Sequence, residues 1–117
     1  MDEMNLRNYA HLGDAVWELH VREQTVYETQ KIKDLHKITT QKVNASYQAE
    51  TLKDIEANLT EEELDLIRRA RNLPVPVSRR SQQAEYRQAT AFEALIGWLY
   101  LNNKERLNEI YSMKGLL

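Results

Sequence analysis

The stretch HLGDAVWE at residues 11–18 decides the fold, because its apolar side chains recur at helical spacing. On a wheel of about 100° per residue, three of them fall on one side, and the next leucine in the chain falls with them. They are Leu12, Ala15, Val16 and Leu19. This pattern predicts a first helix over about residues 11–28, with these four facing the core. Asp14 falls on the opposite side with Trp17 and Val21, so it interrupts a second apolar side.

Glu93, near the other end of the chain, also has mostly apolar neighbours on its helix. Its helical neighbours are Tyr86, Ala89, Ile96, Gly97 and Tyr100. A carboxylate in such surroundings needs a partner, because burying an unpaired charge costs several kcal/mol. Asp14 and Glu93 could each pair with an arginine across the helix packing. They also suit a hard divalent cation such as Mg²⁺, which binds a few carboxylate oxygens and keeps several waters.

The rest of the chain predicts one all-α domain that spans residues 1–117. Its 117 residues contain only three Gly and two Pro, and no extended alternation of β-branched residues. Five helices are predicted, over about residues 11–28, 34–55, 61–72, 83–101 and 104–113. Between the third and fourth helices, residues 73–82 form a long polar loop. Such a loop in a small domain is typically either a functional segment or a solvated connector.

Several classes of protein are excluded by composition. The chain has no cysteine, so it has no disulfide, no thiolate nucleophile and no zinc–thiolate site. The first residues, MDEMN, lack the basic and apolar regions of a signal peptide. No run approaches the roughly 20 apolar residues that a membrane span needs. We therefore predict a cytoplasmic protein, or a stromal one in plastids if the chain comes from a plant.

Positive charge is concentrated in one segment. The net charge is -2, yet residues 68–87 contain six arginines against a single acid, Glu85. Such a block attracts phosphate whatever the net charge of the protein is. Next to a Mg²⁺ site, which can polarise a phosphate and activate water, it indicates phosphodiester chemistry on RNA. The predicted RNA-binding residues are Arg69, Arg71, Arg79, Arg80 and Arg87.

Two motifs resemble those of a known family. The stretch at 11–18 is similar to the signature helix of the ribonuclease III catalytic domain, and TAFEALIG at 90–97 to its second acidic motif. The Tyr86-Arg87 pair before that motif resembles the Mini-ribonuclease III branch. Since the chain stops at Leu117, we expect no double-stranded-RNA-binding domain after it.

The resemblance implies a Mg²⁺-dependent, homodimeric endoribonuclease that cuts double-stranded RNA. It further implies 5'-phosphate and 3'-hydroxyl products, and the large-subunit (23S) ribosomal RNA precursor as substrate. Asp14 and Glu93 are then the catalytic residues and metal ligands, while Arg79 and Arg80 lie in a loop that probes the RNA groove. Arg69, Arg71 and Arg87 would contact phosphates, and ribosomal proteins are further candidate partners.

The sequence departs from the larger family at three acidic positions. Ala10 and Arg7 stand where that family has glutamates, and Thr90 stands where it has an aspartate. The number of metal ions is therefore open, and so is a rival reading as a catalytically inactive RNA-binding or scaffolding module. A second rival is a helical domain whose arginines bind acidic proteins. Glu18 either supports the metal site or pairs with an arginine.

A dimer has a physical reason as well, because a two-fold axis presents two equivalent sites to two antiparallel strands. The candidate interface is the side of the first helix with Trp17 and Val21, together with residues 92–101. The same residues could instead be core within one domain.

Overall fold

Six α-helices make up the architecture of the protein in a computed structural model that describes residues 5–113. They are α1 (Leu6–Thr25), α2 (Ile32–Val43), α3 (Ala45–Ile55), α4 (Glu61–Arg71), α5 (Gln83–Asn102) and α6 (Lys104–Ser112). Short 3-10 turns, Glu56–Asn58 and Val77–Gln82, precede α4 and α5. No strand occurs in these residues, so the all-α prediction is confirmed for them. Residues 1–4, judged above not to begin a signal peptide, and residues 114–117 lie outside the described part.

None of the helices described is long and apolar enough to cross a lipid bilayer.

Asn44 divides the predicted helix 34–55 into α2 and α3. Its Oδ1 accepts a hydrogen bond from the Tyr47 backbone N–H at 2.8 Å, which caps the start of α3. Its Nδ2 donates to the Thr40 carbonyl at 3.1 Å, at the end of α2. One side chain therefore serves two helix ends, and the prediction of a single helix here is wrong.

The start of α4 is the capping box that the sequence contains. Thr60 Oγ1 accepts from the Glu63 backbone N–H at 3.1 Å, and Glu63 Oε1 accepts from the Thr60 N–H at 2.9 Å. Glu63 is buried and also accepts from Arg106 Nε of α6 at 2.8 Å. This ion pair fixes α6 to α4.

The central helix, α5, packs against α1, α3 and α4. Its contact with α1 is the closest, because glycines replace side chains there. A Cβ built on Gly13 would lie 1.7 Å from the Glu93 carbonyl oxygen, and one on Gly97 would lie 2.0 Å from the Tyr9 carbonyl oxygen. The two backbones therefore touch, and only glycine fits at either position.

The buried face of α1 is the one opposite to the face predicted. Trp17 is 1% exposed and Val21 is also buried, whereas Leu19 is 57% exposed. The indole of Trp17 packs edge-on against the Phe92 ring at 5.0 Å between centroids. The core face follows Gly13, because that side alone can approach α5 so closely. Trp17, Val21 and Phe92 are intradomain core, which is the second of the two alternatives that the sequence left open for them.

Candidate active site

The glycine contact brings Asp14 and Glu93 together. Asp14 follows Gly13 on α1, and the backbone of Glu93 on α5 lies directly against that glycine. The two carboxyl groups lie close enough for Asp14 to raise the pKa of Glu93. Both line one cleft of about 450 Å³. The two acids singled out from the sequence thus form a pair.

Three other segments complete the cleft. They are the α2–α3 junction, the 3-10 turn at Val77–Gln82 and the first half of α5. The lining residues besides the two acids are Val43, Asn44, Ala45, Gln48, Arg79, Gln82, Glu85, Tyr86, Ala89 and Thr90. The junction is tied to α1 because Trp17 Nε1 donates to the Lys42 carbonyl at 2.8 Å. Trp17 therefore packs in the core and also holds one wall of the cleft in place.

Burial raises the pKa of the Glu93 carboxyl from its ordinary 4.5 to about 8, and the neighbouring Asp14 carboxyl adds to the rise. Gln48 opposes the rise in pKa, since its Nε2 donates to Glu93 Oε2 at 3.4 Å. Within residues 5–113, neither acid forms an ion pair with an arginine. The arrangement is two like groups facing each other rather than two separate salt bridges.

The stability of the metal-free protein is expected to fall as the pH rises from about 4.5 to about 8. The folded state keeps the Glu93 proton up to about pH 8, whereas the unfolded chain releases it near 4.5. This contribution is therefore complete below the lower pKa and lost as the pH passes the higher one, at no more than about 1.4 kcal/mol per pH unit. Urea unfolding across this pH range measures it.

The Glu93→Gln variant is the control for this pH dependence, because its amide does not titrate. Its free energy of unfolding should not fall between about pH 4.5 and pH 8, and it should exceed that of the wild type above about pH 8. Parallel pH curves for the two proteins would contradict the raised pKa.

The acidic pair fits Mg²⁺ by its donor set. This cation commonly binds through one or two carboxylates and takes its other ligands from water and substrate phosphate. No cluster of three or more His, Cys, Asp or Glu side chains suited to a metal occurs in the described part of the chain. Two carboxylates that repel each other are also relieved when a cation binds between them. Asp14 and Glu93 are therefore the residues that could hold one.

Arg79 lines the cleft beside the acidic pair. It and Arg80 belong to the exposed 3-10 turn, and neither side chain has a hydrogen bond or ion pair in residues 5–113. Arg69 is different, because its Nε donates to Asp65 at 3.1 Å. The turn thus exposes two positive charges, and that of Arg79 lies at the cleft.

The other two predicted RNA-binding arginines are held inside the fold. Arg71 Nε donates to Gln88 Oε1 at 2.8 Å, and its Nη2 pairs with Glu56. Arg87 Nη1 donates to the carbonyls of Arg71 at 2.6 Å and Leu73 at 3.3 Å, at the end of α4. These contacts give both side chains a structural role, and RNA contact by them stays a prediction.

The three positions that depart from the larger family have distinct environments. Ala10 is buried in the core, where a carboxylate would be enclosed. Arg7 Nη2 donates to the Pro74 carbonyl at 3.2 Å and so connects α1 to the segment after α4. Thr90 lies in the cleft. Of these three, only Thr90 is placed beside the acidic pair.

Glu18 forms an ion pair with Arg22 at 2.8 Å, which is the second of the two alternatives that the sequence left open. Gln48 is the cleft residue that sequence reasoning missed. The available signal was a polar residue on the inward side of α3, one turn before the fully buried Leu52.

Comparison with known proteins identifies the class. The family model for the ribonuclease III domain matches residues 7–104, which include both acids. The chain therefore belongs to the ribonuclease III family and is an endoribonuclease. Its relatives define the branch more narrowly, because they are Mini-ribonucleases 3.

The Mini-ribonuclease 3 of Gloeobacter violaceus is 46% identical over 107 residues, which cover 92% of this chain and 79% of the relative. That of a Thermoanaerobacter species is 42% identical and covers 89% and 75%. A crystal structure of a Fusobacterium nucleatum protein superposes with a TM-score of 0.87 at 35% identity, over 97% and 95% of the two chains. The resemblance drawn from the two acidic motifs is confirmed.

Proposed function

We propose that this endoribonuclease cleaves double-stranded RNA with Mg²⁺ held by Asp14 and Glu93, and leaves 5'-phosphate and 3'-hydroxyl ends. The observation that carries the proposal is the convergence of the two carboxyl groups in one cleft. Residues 1–117 are proposed to form the one catalytic domain. The large-subunit (23S) ribosomal RNA precursor is proposed as the substrate on the resemblance to the Mini-ribonuclease III branch, with ribosomal proteins as candidate partners in the cytoplasm.

Each residue has a defined part in this mechanism. Bound Mg²⁺ supplies Lewis-acid chemistry toward the phosphodiester. Asp14 and Glu93 supply the negative charge that holds it. The glycine contact between their two helices keeps the two acids close together. Arg79 at the edge of the cleft is placed to hold a backbone phosphate of the RNA.

Arg79→Ala is expected to weaken duplex RNA binding because the side chain lines the cleft without a protein partner in the described residues. Losing one phosphate contact should reduce the slope of log K against log salt concentration by about 0.9. Arg68→Ala is the matched control, because it removes the same charge from a side chain that pairs with Asp65 on the exposed side of α4. Filter-binding titrations across salt concentrations measure both slopes, and equal slopes for the two variants would exclude the assigned contact.

A homodimer remains part of the proposal, with an interface that uses the exposed side of α1 and the end of α5 in place of the buried Trp17, Val21 and Phe92. Leu19 is 57% exposed on α1 and lines a shallow pocket with Val16 and Tyr100. An uncovered apolar surface of this kind is typical of a contact with another chain. Sedimentation should give twice the 13.8 kDa of one chain, and a monomer at micromolar concentration would exclude this interface.

The test of the function is cleavage of a uniformly labelled RNA duplex by the purified protein with MgCl₂ and with EDTA. We expect internal cuts in the duplex with MgCl₂ and none with EDTA. Single strands of the same sequence should stay intact, and the products should carry 5'-phosphate ends. Binding without cleavage in MgCl₂ would instead favour the inactive RNA-binding or scaffolding module. That alternative is based on the three positions where this chain lacks the acidic residues of the larger family.

A further inference from the structure

Gln48 contacts the acidic pair from a third helix. It lies in the first turn of α3, is 2% exposed and lines the cleft. Its Nε2 donates to Glu93 Oε2 at 3.4 Å, and this is its one side-chain hydrogen bond among the described residues. Glu93 is thus contacted by Asp14 of α1 on one side and by an uncharged donor of α3 on another.

A buried amide at this position requires an explanation. Placing an amide in apolar surroundings costs free energy unless it is hydrogen-bonded, and an apolar side chain would fill the same space without that cost. The other buried positions further along the same helix include the apolar residues Leu52 and Ile55. The amide of Gln48 makes its bond to Glu93, so the contact with the acid accounts for its presence.

The start of α3 is firmly held, which makes Gln48 a fixed donor. Asn44 caps this helix, and its carbonyl accepts from the Gln48 backbone N–H at 3.1 Å. The preceding residues are tied to α1, because Trp17 donates to the Lys42 carbonyl. A donor on such a frame restricts the rotation of the long Glu93 side chain.

We propose that Gln48 is a positioning residue of the active site: its amide holds the Glu93 carboxylate in the orientation that faces Asp14. This inference rests on the proposed function, because it assigns Gln48 to the Mg²⁺ site of that proposal. Partners that orient metal ligands contribute roughly 10- to 100-fold to metal affinity or activity. Gln48 is expected to act within this range.

The decisive variant is Gln48→Met, which keeps the length of the side chain and removes the donor. Thr51→Val is the matched control, since Thr51 lies on the same helix and is 0% exposed, and its Oγ1 has no hydrogen-bond partner among residues 5–113. Both variants replace a buried polar group of α3 with an apolar one. Only Gln48→Met removes a contact with the acidic pair.

The measurement is the Mg²⁺ concentration that half-saturates two responses: the rise in Tm of the RNA-free protein, and the rate of duplex cleavage. For Gln48→Met we expect both midpoints to rise roughly 10-fold or more, with most of the cleavage rate restored at saturating MgCl₂. The RNA concentration at half-maximal rate should stay unchanged. For Thr51→Val both midpoints should equal those of the wild type.

Two outcomes overturn the proposal and are distinguishable. If Gln48→Met has the wild-type Mg²⁺ midpoints, with or without a lower Tm in the absence of metal, then Gln48 is only part of the core. If the wild-type protein itself shows no response of its Tm to MgCl₂, the Mg²⁺ site of the proposed function fails, and the positioning role fails with it.

Discussion

Asp14→Asn is expected to lower the rate of duplex RNA cleavage roughly a thousandfold, because it removes one of two carboxylates that face each other in the cleft. A metal ion contributes several kcal/mol to stabilising charge in phosphoryl transfer, and about 1.4 kcal/mol corresponds to a factor of ten in rate. Asparagine has the same size and keeps one oxygen, so the packing of α1 against α5 is preserved. Above about pH 8, where both carboxyl groups are ionised, the variant should also unfold no more easily than the wild type, since the like-charge contact with Glu93 is gone.

Single-turnover cleavage with saturating protein and MgCl₂ measures this effect directly. Glu18→Gln is the control, because Glu18 lies one turn after Asp14 on the same helix and pairs with Arg22 at 2.8 Å. Removing that exposed ion pair should change the rate by less than about threefold. If Asp14→Asn cleaves duplex RNA at the wild-type rate while Mg²⁺ is present, the assigned site is wrong.

Gly13→Ala is expected to destabilise the protein by about 3 kcal/mol or more and to abolish cleavage. In an ordinary helix this change is favourable by up to about 1 kcal/mol. Here the added Cβ would lie 1.7 Å from the carbonyl oxygen of Glu93 and 2.9 Å from the backbone nitrogen of Gly97. Backbone atoms cannot rotate out of the way, so the two helices must separate, which costs more than the usual range for overpacking.

The same separation would move Asp14 away from Glu93, so that stability and activity are lost together. Urea unfolding gives the first quantity and duplex cleavage with MgCl₂ the second. Ala15→Ser serves as the control, because Ala15 is exposed two positions further along the same helix. A Gly13→Ala protein with wild-type unfolding midpoint and activity would show that α1 and α5 do not touch in solution.

The helical class and the acidic pair could be predicted from the sequence because both depend on local information. Apolar spacing, the Thr60 capping box and the scarcity of Gly and Pro predicted the helices. The apolar neighbours of Asp14 and Glu93 distinguish these two acids in the sequence. The starts and ends of α4, α5 and α6 lie within about two residues of the prediction. The side chains of Thr60 and Asn103 cap the starts of α4 and α6.

The buried face of α1 could not be predicted from its own residues. The helix is apolar on two sides, and the choice between Leu19 and Trp17 depends on which side meets α5. The informative residue was Gly13, whose missing side chain signals a close approach, yet the sequence does not show that its counterpart is Gly97. Tertiary contacts between distant segments decide such questions.

The arginine block shows a second limit of the sequence. Charge counting treats Arg71, Arg79 and Arg87 alike, whereas the fold gives Arg71 an acid and Arg87 a set of helix-end carbonyls. Only the partners in three dimensions separate the structural arginines from those at the cleft. Gln48 escaped notice for the same reason, because its role depends on an acid in a distant helix.

In the proposed mechanism, the contact between α1 and α5 also determines when the protein can become active during its synthesis. Asp14 leaves the ribosome before Glu93, which belongs to a helix much further along the chain. Contacts between such distant segments form only after the intervening chain is available. In the proposed mechanism, a nascent chain is therefore expected to leave the RNA around it uncut, including that of the ribosome that is making it, until α5 has emerged and packed against α1.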